Sequence, residues 1–159
     1  MAGGSDERKA IATNRRARYE YEVLERVEAG LVLLGPEVKS LRAGKASLTD
    51  SFATIRRGEA FLHNLHIPPY PQAGRENPDP KRDRKLLLHR AEIARLEGRV
   101  AERGLTLVPL SLYFRDGRAK VELALARGRR QHDKREAIRE RESDRELARV
   151  TRRRGGSRP

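Results

Sequence analysis

The stretch that decides the fold is residues 105–126, LTLVPLSLYFRDGRAKVELALA. The first half is rich in leucine and ends in Tyr113 and Phe114, and in the second half Val121, Leu123 and Leu125 occupy alternate positions. Asp116-Gly117 between them is a strong signal for a tight hairpin turn, because glycine tolerates the positive φ that such a turn needs. Two long antiparallel strands are therefore predicted, at residues 105–114 and 118–126.

Pro109 interrupts the first of these strands. Proline has no backbone N–H and cannot donate a ladder hydrogen bond. The sequence therefore predicts that this position lies at a sheet edge or in a β-bulge.

Outward from this hairpin, the hydrophobic pattern predicts further elements. Residues 90–103 carry apolar side chains at helical spacing with arginines between them, which predicts an amphipathic helix. Residues 51–55 and 59–65 flank an Arg-Arg-Gly turn and predict a second hairpin. A short helix is predicted at residues 36–43, because Pro36 suits the first helical position, where its missing N–H costs nothing.

The N-terminal third is predicted to hold two more strands. Residues 1–13 are small and polar, and they are expected to be flexible. Alternation of Tyr19, Tyr21 and Val23 with glutamates predicts a half-exposed strand. Gly30 then precedes a short apolar run at residues 31–34, which predicts a more buried strand.

Counting these elements gives about six short strands and two helices, with antiparallel hairpins and no βαβ rhythm. Five of the eight prolines lie between residues 68 and 80, which predicts a long irregular loop whose role stays open. The predicted fold is mainly β, a small closed or partly open antiparallel barrel with two to three short helices.

Charge separates the end of the chain from this body. Residues 127–159 hold thirteen Arg and Lys against six Asp and Glu, so they contribute seven of the chain's net thirteen positive charges. This segment has too few apolar residues to offset the conformational entropy lost when a chain becomes ordered. It is therefore predicted to be disordered when free. Its sign predicts a polyanionic partner, and nucleic acid is favoured. The excess of 29 Arg over 7 Lys suits RNA, although genome composition or heat adaptation would produce it equally.

The composition also disfavours several classes of protein. Cysteine is absent, so disulfides, thiolate chemistry and cysteine-based zinc sites are excluded. No apolar run approaches the roughly 20 residues that span a bilayer, so a soluble protein that binds no membrane is expected. His63 and His66 are spaced to point to opposite faces of a strand, and no phosphate-binding loop is present. Neither an enzyme nor a metal or other cofactor is therefore expected.

Three groups of polar residues are candidates for contact with RNA. Arg82, Arg84 and Lys85 precede an apolar triplet, where they are either RNA contacts or a solvated helix start. Lys120 lies on the polar face of a predicted strand, where a plain exposed lysine is the alternative. Glu28 could accept hydrogen bonds from base amino groups or ribose 2′-OH groups, or be a strand-end charge. Aromatic residues make up only 4% of the chain, which disfavours a base-stacking platform.

Several motifs resemble one known family in order and spacing. They are NRRA at residues 14–17, GPEVKSLRAGK at 35–45, RKLLLH at 84–89, VPLSLYF at 108–114 and GRRQHDKR at 128–135. Together they are similar to the motifs of the SsrA-binding protein (small protein B) family, and the likeness extends to about residue 145.

This resemblance implies an oligonucleotide-binding (OB) β-barrel with flanking helices at residues 14–126 and a basic tail at 127–159. It implies an adaptor that binds the tRNA-like domain of transfer-messenger RNA and delivers it to stalled ribosomes for trans-translation. The family's contacts with that domain carry over to Asn14, Glu28, Leu87 and Lys120.

For the tail, the resemblance implies entry into the empty mRNA channel near the decoding centre, where the tail becomes helical against small-subunit RNA. The tail residues concerned are Arg127, Arg129, Arg130, His132, Asp133, Lys134 and Arg135. A monomer in the bacterial cytoplasm is expected, with elongation factor Tu in the delivery complex. A ribosomal or ribosome-assembly protein with a barrel body and a basic extension is the alternative that composition alone supports.

Overall fold

The computed structural model describes residues 8–102 and 104–129, and the side chain of residue 18 is not described. The described residues form seven strands and three α-helices. The strands are β1 (Arg8–Thr13), β2 (Tyr21–Leu31), β3 (Phe52–Arg56), β4 (Glu59–His63), β5 (Arg84–Leu87), β6 (Leu105–Arg115) and β7 (Arg118–Gly128). The helices are α1 (Ala17–Glu20), α2 (Gly35–Arg42) and α3 (Arg90–Val100).

The β6–β7 hairpin is the longest pairing and confirms the prediction made from its sequence. Its register extends from Leu105 opposite Arg127 to Arg115 opposite Arg118. Both turn residues have positive φ, 52° at Asp116 and 77° at Gly117. The register shifts just after Pro109, so the proline lies at a bulge and not at an edge, because β6 also pairs with β1 and β3.

Six of the seven described strands close into a ring of hydrogen-bonded neighbours, and β1 joins β6 as an edge strand. The pairing order is β1-β6-β3-β4-β5-β2-β7, and β7 returns to pair with β6. Every pairing is antiparallel. This mainly β, ring-like sheet with three short helices agrees with the predicted OB-like class.

The ring encloses the main apolar core. Val121, Leu123 and Leu125 of β7 point into it and are at most 1% exposed, as their alternation predicts. Leu41 of α2 and Leu96 of α3 pack against the same cluster. A second, smaller cluster of Val108, Ala124 and Ala126 buries residues from the alternate positions of the hairpin strands.

Two N-terminal predictions are wrong. Residues 8–13 were expected to be flexible but form β1, whose exposed, partly charged residues give no apolar pattern and whose pairing depends on the distant β6. The strand predicted around Tyr19 begins only at Tyr21, because Ala17–Glu20 form α1. That strand then continues through Gly30 to Leu31, so the two predicted strands are one and no strand follows at 32–34.

β5 was not predicted as a strand. It is only four residues long, and its two buried positions are Arg84 and Leu86, so an arginine occupies an inward position where the pattern requires an apolar residue. The predicted helices α2 and α3 are confirmed to within three residues at each end. The proline-rich loop contains 3-10 turns within Pro71–Glu76. Among the described residues, no helix combines the length and apolar character needed to cross a bilayer.

The chain divides into two compact units, Met1–Gly128, which holds the sheet, and Arg129–Pro159. Apart from Arg129, the second unit lies outside the described residues. The predicted tail helix and its contacts therefore stay predictions.

Candidate nucleic-acid interface

A groove of about 560 Å³ lies where β2, β5 and β7 meet, and we call it the Lys120 groove. Glu28 and Gly30 of β2, Leu87 of β5 and Lys120 of β7 all line it. Three of the four residues that the resemblance assigned to RNA contact are thus brought together from three separate strands.

Strand pairing explains why these residues meet. β2 lies between β5 and β7, and Gly30 is the Cα partner of both Leu87 and Lys120. Glu28 lies two residues before Gly30, and side chains at i and i+2 point to the same face of a strand. The groove therefore follows from the register of the sheet and does not depend on a loop conformation.

Leu87 is the apolar part of this groove. Its side chain is 54% exposed, which is unusual for a leucine in a short strand. It lies against Gly30, where an added Cβ would be 3.2 Å from the Leu87 Cβ. The missing side chain at Gly30 gives Leu87 room to pack closely against β2 at this position.

Glu28 is held by two donors from β6. The Tyr113 hydroxyl donates to Glu28 Oε2, and Arg115 Nη1 donates to the same oxygen at 2.9 Å. Oε1 of Glu28 accepts no hydrogen bond from the described residues. Partial burial works to raise the pKa of Glu28, but the bonds from Tyr113 and Arg115 and the nearby Lys120 charge outweigh it and leave the pKa lowered.

The same contact acts on Tyr113 in the opposite direction. Burial and the hydrogen bond to Glu28 both raise the pKa of Tyr113 above its usual range. Tyr113 therefore stays protonated as a donor while Glu28 stays ionised as an acceptor. Arg8 lies over the Tyr113 ring, with its guanidinium carbon 4.6 Å from the ring centroid.

Asn14 lies elsewhere, in a groove of about 430 Å³ that we call the Asn14 groove. Its backbone N–H donates to Leu110 O at 2.8 Å, and its Nδ2 donates to Pro109 O at 2.9 Å. Asn14 thus fills backbone acceptors at the β6 bulge. The structure does not place it with Glu28, Leu87 and Lys120.

Arg84 has to be removed from the predicted contacts. It is fully buried, and its Nε donates to Glu37 Oε2 at 2.8 Å. Its other nitrogens donate to Leu65 O and Pro80 O. An arginine enclosed in this way cannot reach a phosphate, so its role is to hold α2 and the proline-rich loop to the sheet.

The remaining predicted residues are divided between the sheet surface and the tail. Lys85 is exposed on the same face of β5 as Leu87 but does not line the groove, and its Nζ is 4.0 Å from Glu59 Oε1. Arg127 is exposed at the end of β7, 3.6 Å from Glu22 Oε1, and Arg129 directly follows β7. Arg130, His132, Asp133, Lys134 and Arg135 lie outside the described residues.

Sequence reasoning missed Tyr113, Arg115 and Gly30 as parts of the site. The Asp116-Gly117 turn fixes the hairpin register and could have placed Tyr113 opposite Lys120. No sequence signal indicates that Glu28 of β2 lies close to Tyr113 and Lys120. The described residues contain no group of His, Asp and Glu side chains arranged to hold a metal ion.

The Lys120 groove is chemically suited to RNA. An ammonium group attracts phosphate, an ionised carboxylate can accept a hydrogen bond from a 2′-OH or an exocyclic amine, and an exposed leucine can pack on a ribose or base. A small-molecule acid would gain from Lys120 but would be repelled by Glu28. The mixed lining therefore favours a ligand that offers both anionic and donor groups.

Comparison with known proteins agrees with this chemistry. The chain matches the model of the family described as SmpB protein over residues 11–153. The SsrA-binding protein of Parafrankia sp. (strain EAN1pec) is 62% identical over 143 residues, which is 90% of each chain. The SsrA-binding protein of Thermobifida fusca (strain YX) is also 62% identical, over 92% of this chain and 91% of that protein.

A solved structure supports the same assignment. It is described as "tmRNA-SmpB: a journey to the center of the bacterial ribosome", and the matching chain is 56% identical with a TM-score of 0.65. The match covers 80% of this chain and 93% of that chain.

Proposed function

The chain belongs to the SmpB protein family, and from this membership and the Lys120 groove we propose an RNA-binding adaptor that makes and breaks no covalent bond. It binds the tRNA-like domain of transfer-messenger RNA and delivers that RNA to stalled bacterial ribosomes. The observation that carries the proposal is that Glu28, Leu87 and Lys120, from three strands, line one groove.

In this proposal the groove recognises a folded RNA by the positions of its chemical groups more than by its base sequence. Lys120 neutralises a phosphate, and Glu28 accepts a hydrogen bond through Oε1, which receives none from the described residues. Leu87 packs on the sugar or base between them. Since all three residues are fixed by strand register, the groove presents a rigid pattern to which a shaped RNA fits better than a flexible one.

Delivery to the ribosome is proposed for the basic tail. Residues 127–159 carry seven net positive charges and little apolar surface, so ribosomal RNA would supply the charge that orders them. We place the tail in the empty mRNA channel near the decoding centre. The protein would act as a monomer in the cytoplasm, with elongation factor Tu in the delivery complex.

One polar array bears on the alternative of an enzyme. Thr54 Oγ1 lies 2.7 Å from His63 Nε2, and His63 Nδ1 lies 2.8 Å from Asp83 Oδ1. The Asp83 side chain is 64% exposed, and none of the three residues lines the Lys120 or Asn14 groove. Incubation with labelled RNA and a divalent metal should give no turnover, whereas clean cleavage would contradict the adaptor.

The direct test is RNA binding by groove variants. Glu28→Ala and Lys120→Ala should each weaken binding of the tRNA-like RNA by about 1–3 kcal/mol, the range for a good directed contact. Lys81→Ala is the matched control, because it removes the same charge as Lys120→Ala. Lys81 is exposed and lines none of these grooves. Equal, small losses in all three variants would mean that the groove is not the RNA site.

A further inference from the structure

A second groove adjoins the Lys120 groove, and the sequence motifs assigned it no role. It has a volume of about 510 Å³ and lies between β1, the end of α2 and the β6–β7 turn. Its lining includes Lys9 of β1 and Arg42 of α2, and we call it the Arg42 groove. Phe114 and Gly117 line both this groove and the Lys120 groove, so the two are separated only by that part of the hairpin.

Arg42 is held ready for an anion. Its guanidinium carbon lies 5.8 Å from the centroid of the Phe114 ring, a cation–π contact that restrains a long, exposed side chain. No carboxylate forms an ion pair with it among the described residues. Part of the entropy of fixing an arginine on a phosphate is therefore already lost before RNA arrives.

Lys9 supplies a second cation across the groove. It is exposed in the edge strand β1 and likewise has no ion pair with a described carboxylate. Asp116 is the acidic residue of the lining, and its positive φ of 52° fits the tight turn in which it lies. Two cations against one turn carboxylate leave the groove net positive.

We propose that bound RNA does not end at the Lys120 groove but passes over the Phe114–Gly117 boundary into the Arg42 groove. There Arg42 and Lys9 bind phosphodiester oxygens, so this is a phosphate-binding extension of the RNA site. The proposal rests on the proposed function, since it extends the same RNA. Gly117 carries no side chain at the boundary, and an added Cβ there would meet nothing within 4 Å, which leaves the passage open.

The salt dependence of binding distinguishes a phosphate contact from a structural role. Each cation that neutralises a phosphate releases counterions. Removing that cation therefore reduces the magnitude of the negative slope of log K against log salt concentration by about 0.7–0.9. A residue that only supports the fold would lower affinity without changing that slope.

The experiment measures binding of the full chain to the tRNA-like RNA over a series of KCl concentrations. Arg42→Gln and Lys9→Gln should each reduce the magnitude of this slope by about one unit, and the double variant should reduce it by about two. Arg42→Lys keeps the charge and should retain the slope. Arg56→Gln is the control, because Arg56 is exposed at the end of β3 and lines none of the three grooves described.

The outcomes separate this proposal from the proposed function. If the unmodified chain fails to prefer the tRNA-like RNA over an unstructured RNA of equal length, the proposed function is wrong and this extension falls with it. If that preference holds but the slopes of Arg42→Gln and Lys9→Gln match that of Arg56→Gln, only the Arg42 groove is overturned. Lys9 is exposed in an edge strand, so its variant decides the matter even if Arg42→Gln lowers the thermal unfolding midpoint.

Discussion

At the scale of single residues, Glu28 shows how a carboxylate can serve in a basic RNA-binding protein. Its two donors among the described residues, Tyr113 and Arg115, both bind Oε2. In the proposed site, Oε1 is the oxygen that accepts from RNA, and the restraint on Oε2 fixes where Oε1 lies. A freely rotating carboxylate at this position would repel phosphate without offering a directed acceptor.

Tyr113→Phe tests this positioning role. The ring is 2% exposed and would stay packed, so only the hydroxyl is lost. We expect RNA affinity to fall by about 1 kcal/mol, the usual worth of one hydrogen bond. Because the Tyr113 bond lowers the pKa of Glu28, that pKa should rise in the variant, as an NMR titration of the carboxyl carbon would measure.

Tyr70→Phe is the control, since Tyr70 lies in the proline-rich loop and lines none of the grooves. In a Glu28→Ala background, Tyr113→Phe should cause no further loss of affinity. An undiminished loss in that background would show that Tyr113 does not act through Glu28.

Gly30→Ala tests the position of Leu87. The new Cβ would lie 3.2 Å from the Leu87 Cβ, so the leucine has to shift by a few tenths of an ångström. We expect weaker RNA binding with little change in the free energy of unfolding. Gly98→Ala is the control, because its added Cβ meets nothing within 4 Å and favours helix α3. Equal affinity in the two variants would contradict the role given to Leu87.

At the scale of elements, a buried ion cluster joins α2 to β5 and the proline-rich loop. Glu37, 2% exposed, accepts from Arg84 and from Arg82, whose Nη2 lies 2.6 Å from Oε1. The backbone N–H of Leu34 donates to the same carboxylate at 2.9 Å. Ser40 Oγ donates to Pro68 O at 2.7 Å, which ties α2 to the start of the loop. The loop is thus anchored at both ends.

Removing the Glu37 charge should destabilise the fold in a pH-dependent way. Burial works to raise the pKa of Glu37, but the bonds from Arg82, Leu34 and Arg84 outweigh it, and the folded-state pKa is lowered. A lowered carboxyl pKa contributes stability that is fully present above the unfolded-state value of about 4.3 and is lost as pH falls through the folded-state value.

Glu37→Gln should therefore cost about 3–5 kcal/mol at neutral pH, because it leaves buried Arg84 without its counter-charge. The difference in free energy of unfolding between the two proteins should shrink as pH falls below the unfolded-state value. Urea unfolding across that pH range measures it. A difference that is constant with pH would mean that the carboxylate is not ionised in the folded protein.

The elements also show what sequence can and cannot predict. The β6–β7 hairpin, α2 and α3 follow from local signals, namely a turn dipeptide, a proline at a helix start and apolar spacing. β1 and β5 do not, because β1 is an exposed edge strand and β5 points an arginine inward. Gly30 suggested a strand boundary because glycine is unfavourable inside a strand. The structure shows why it is there, since Leu87 packs directly against this position.

The site follows the same logic. Glu28, Leu87 and Lys120 were identified by resemblance and are brought together by long-range pairing that no local pattern contains. Arg84 was misassigned because a charged residue beside an apolar run looks exposed until its buried partner Glu37, 47 residues away in sequence, is known. Charge alone therefore does not separate RNA contacts from buried ion pairs.

At the scale of the whole molecule, the sheet is proposed to recognise RNA and the tail to engage the ribosome. Truncation after Gly128 removes the basic segment but leaves the seven strands that the structure describes. We expect binding of the tRNA-like RNA to stay near normal and rescue of stalled ribosomes to be lost, as measured by peptide tagging in a reconstituted translation system. Loss of both activities, or of neither, would contradict this division.

The central claim is that a rigid groove on the sheet recognises the shape of a folded RNA. The most direct test is the affinity of the full chain for the tRNA-like RNA against an unstructured RNA of equal length at the same ionic strength. We predict clear preference for the folded RNA, and we predict that Lys120→Ala and Glu28→Ala reduce that preference. Equal affinity for the two RNAs would show that the chain binds by charge alone and would contradict the claim.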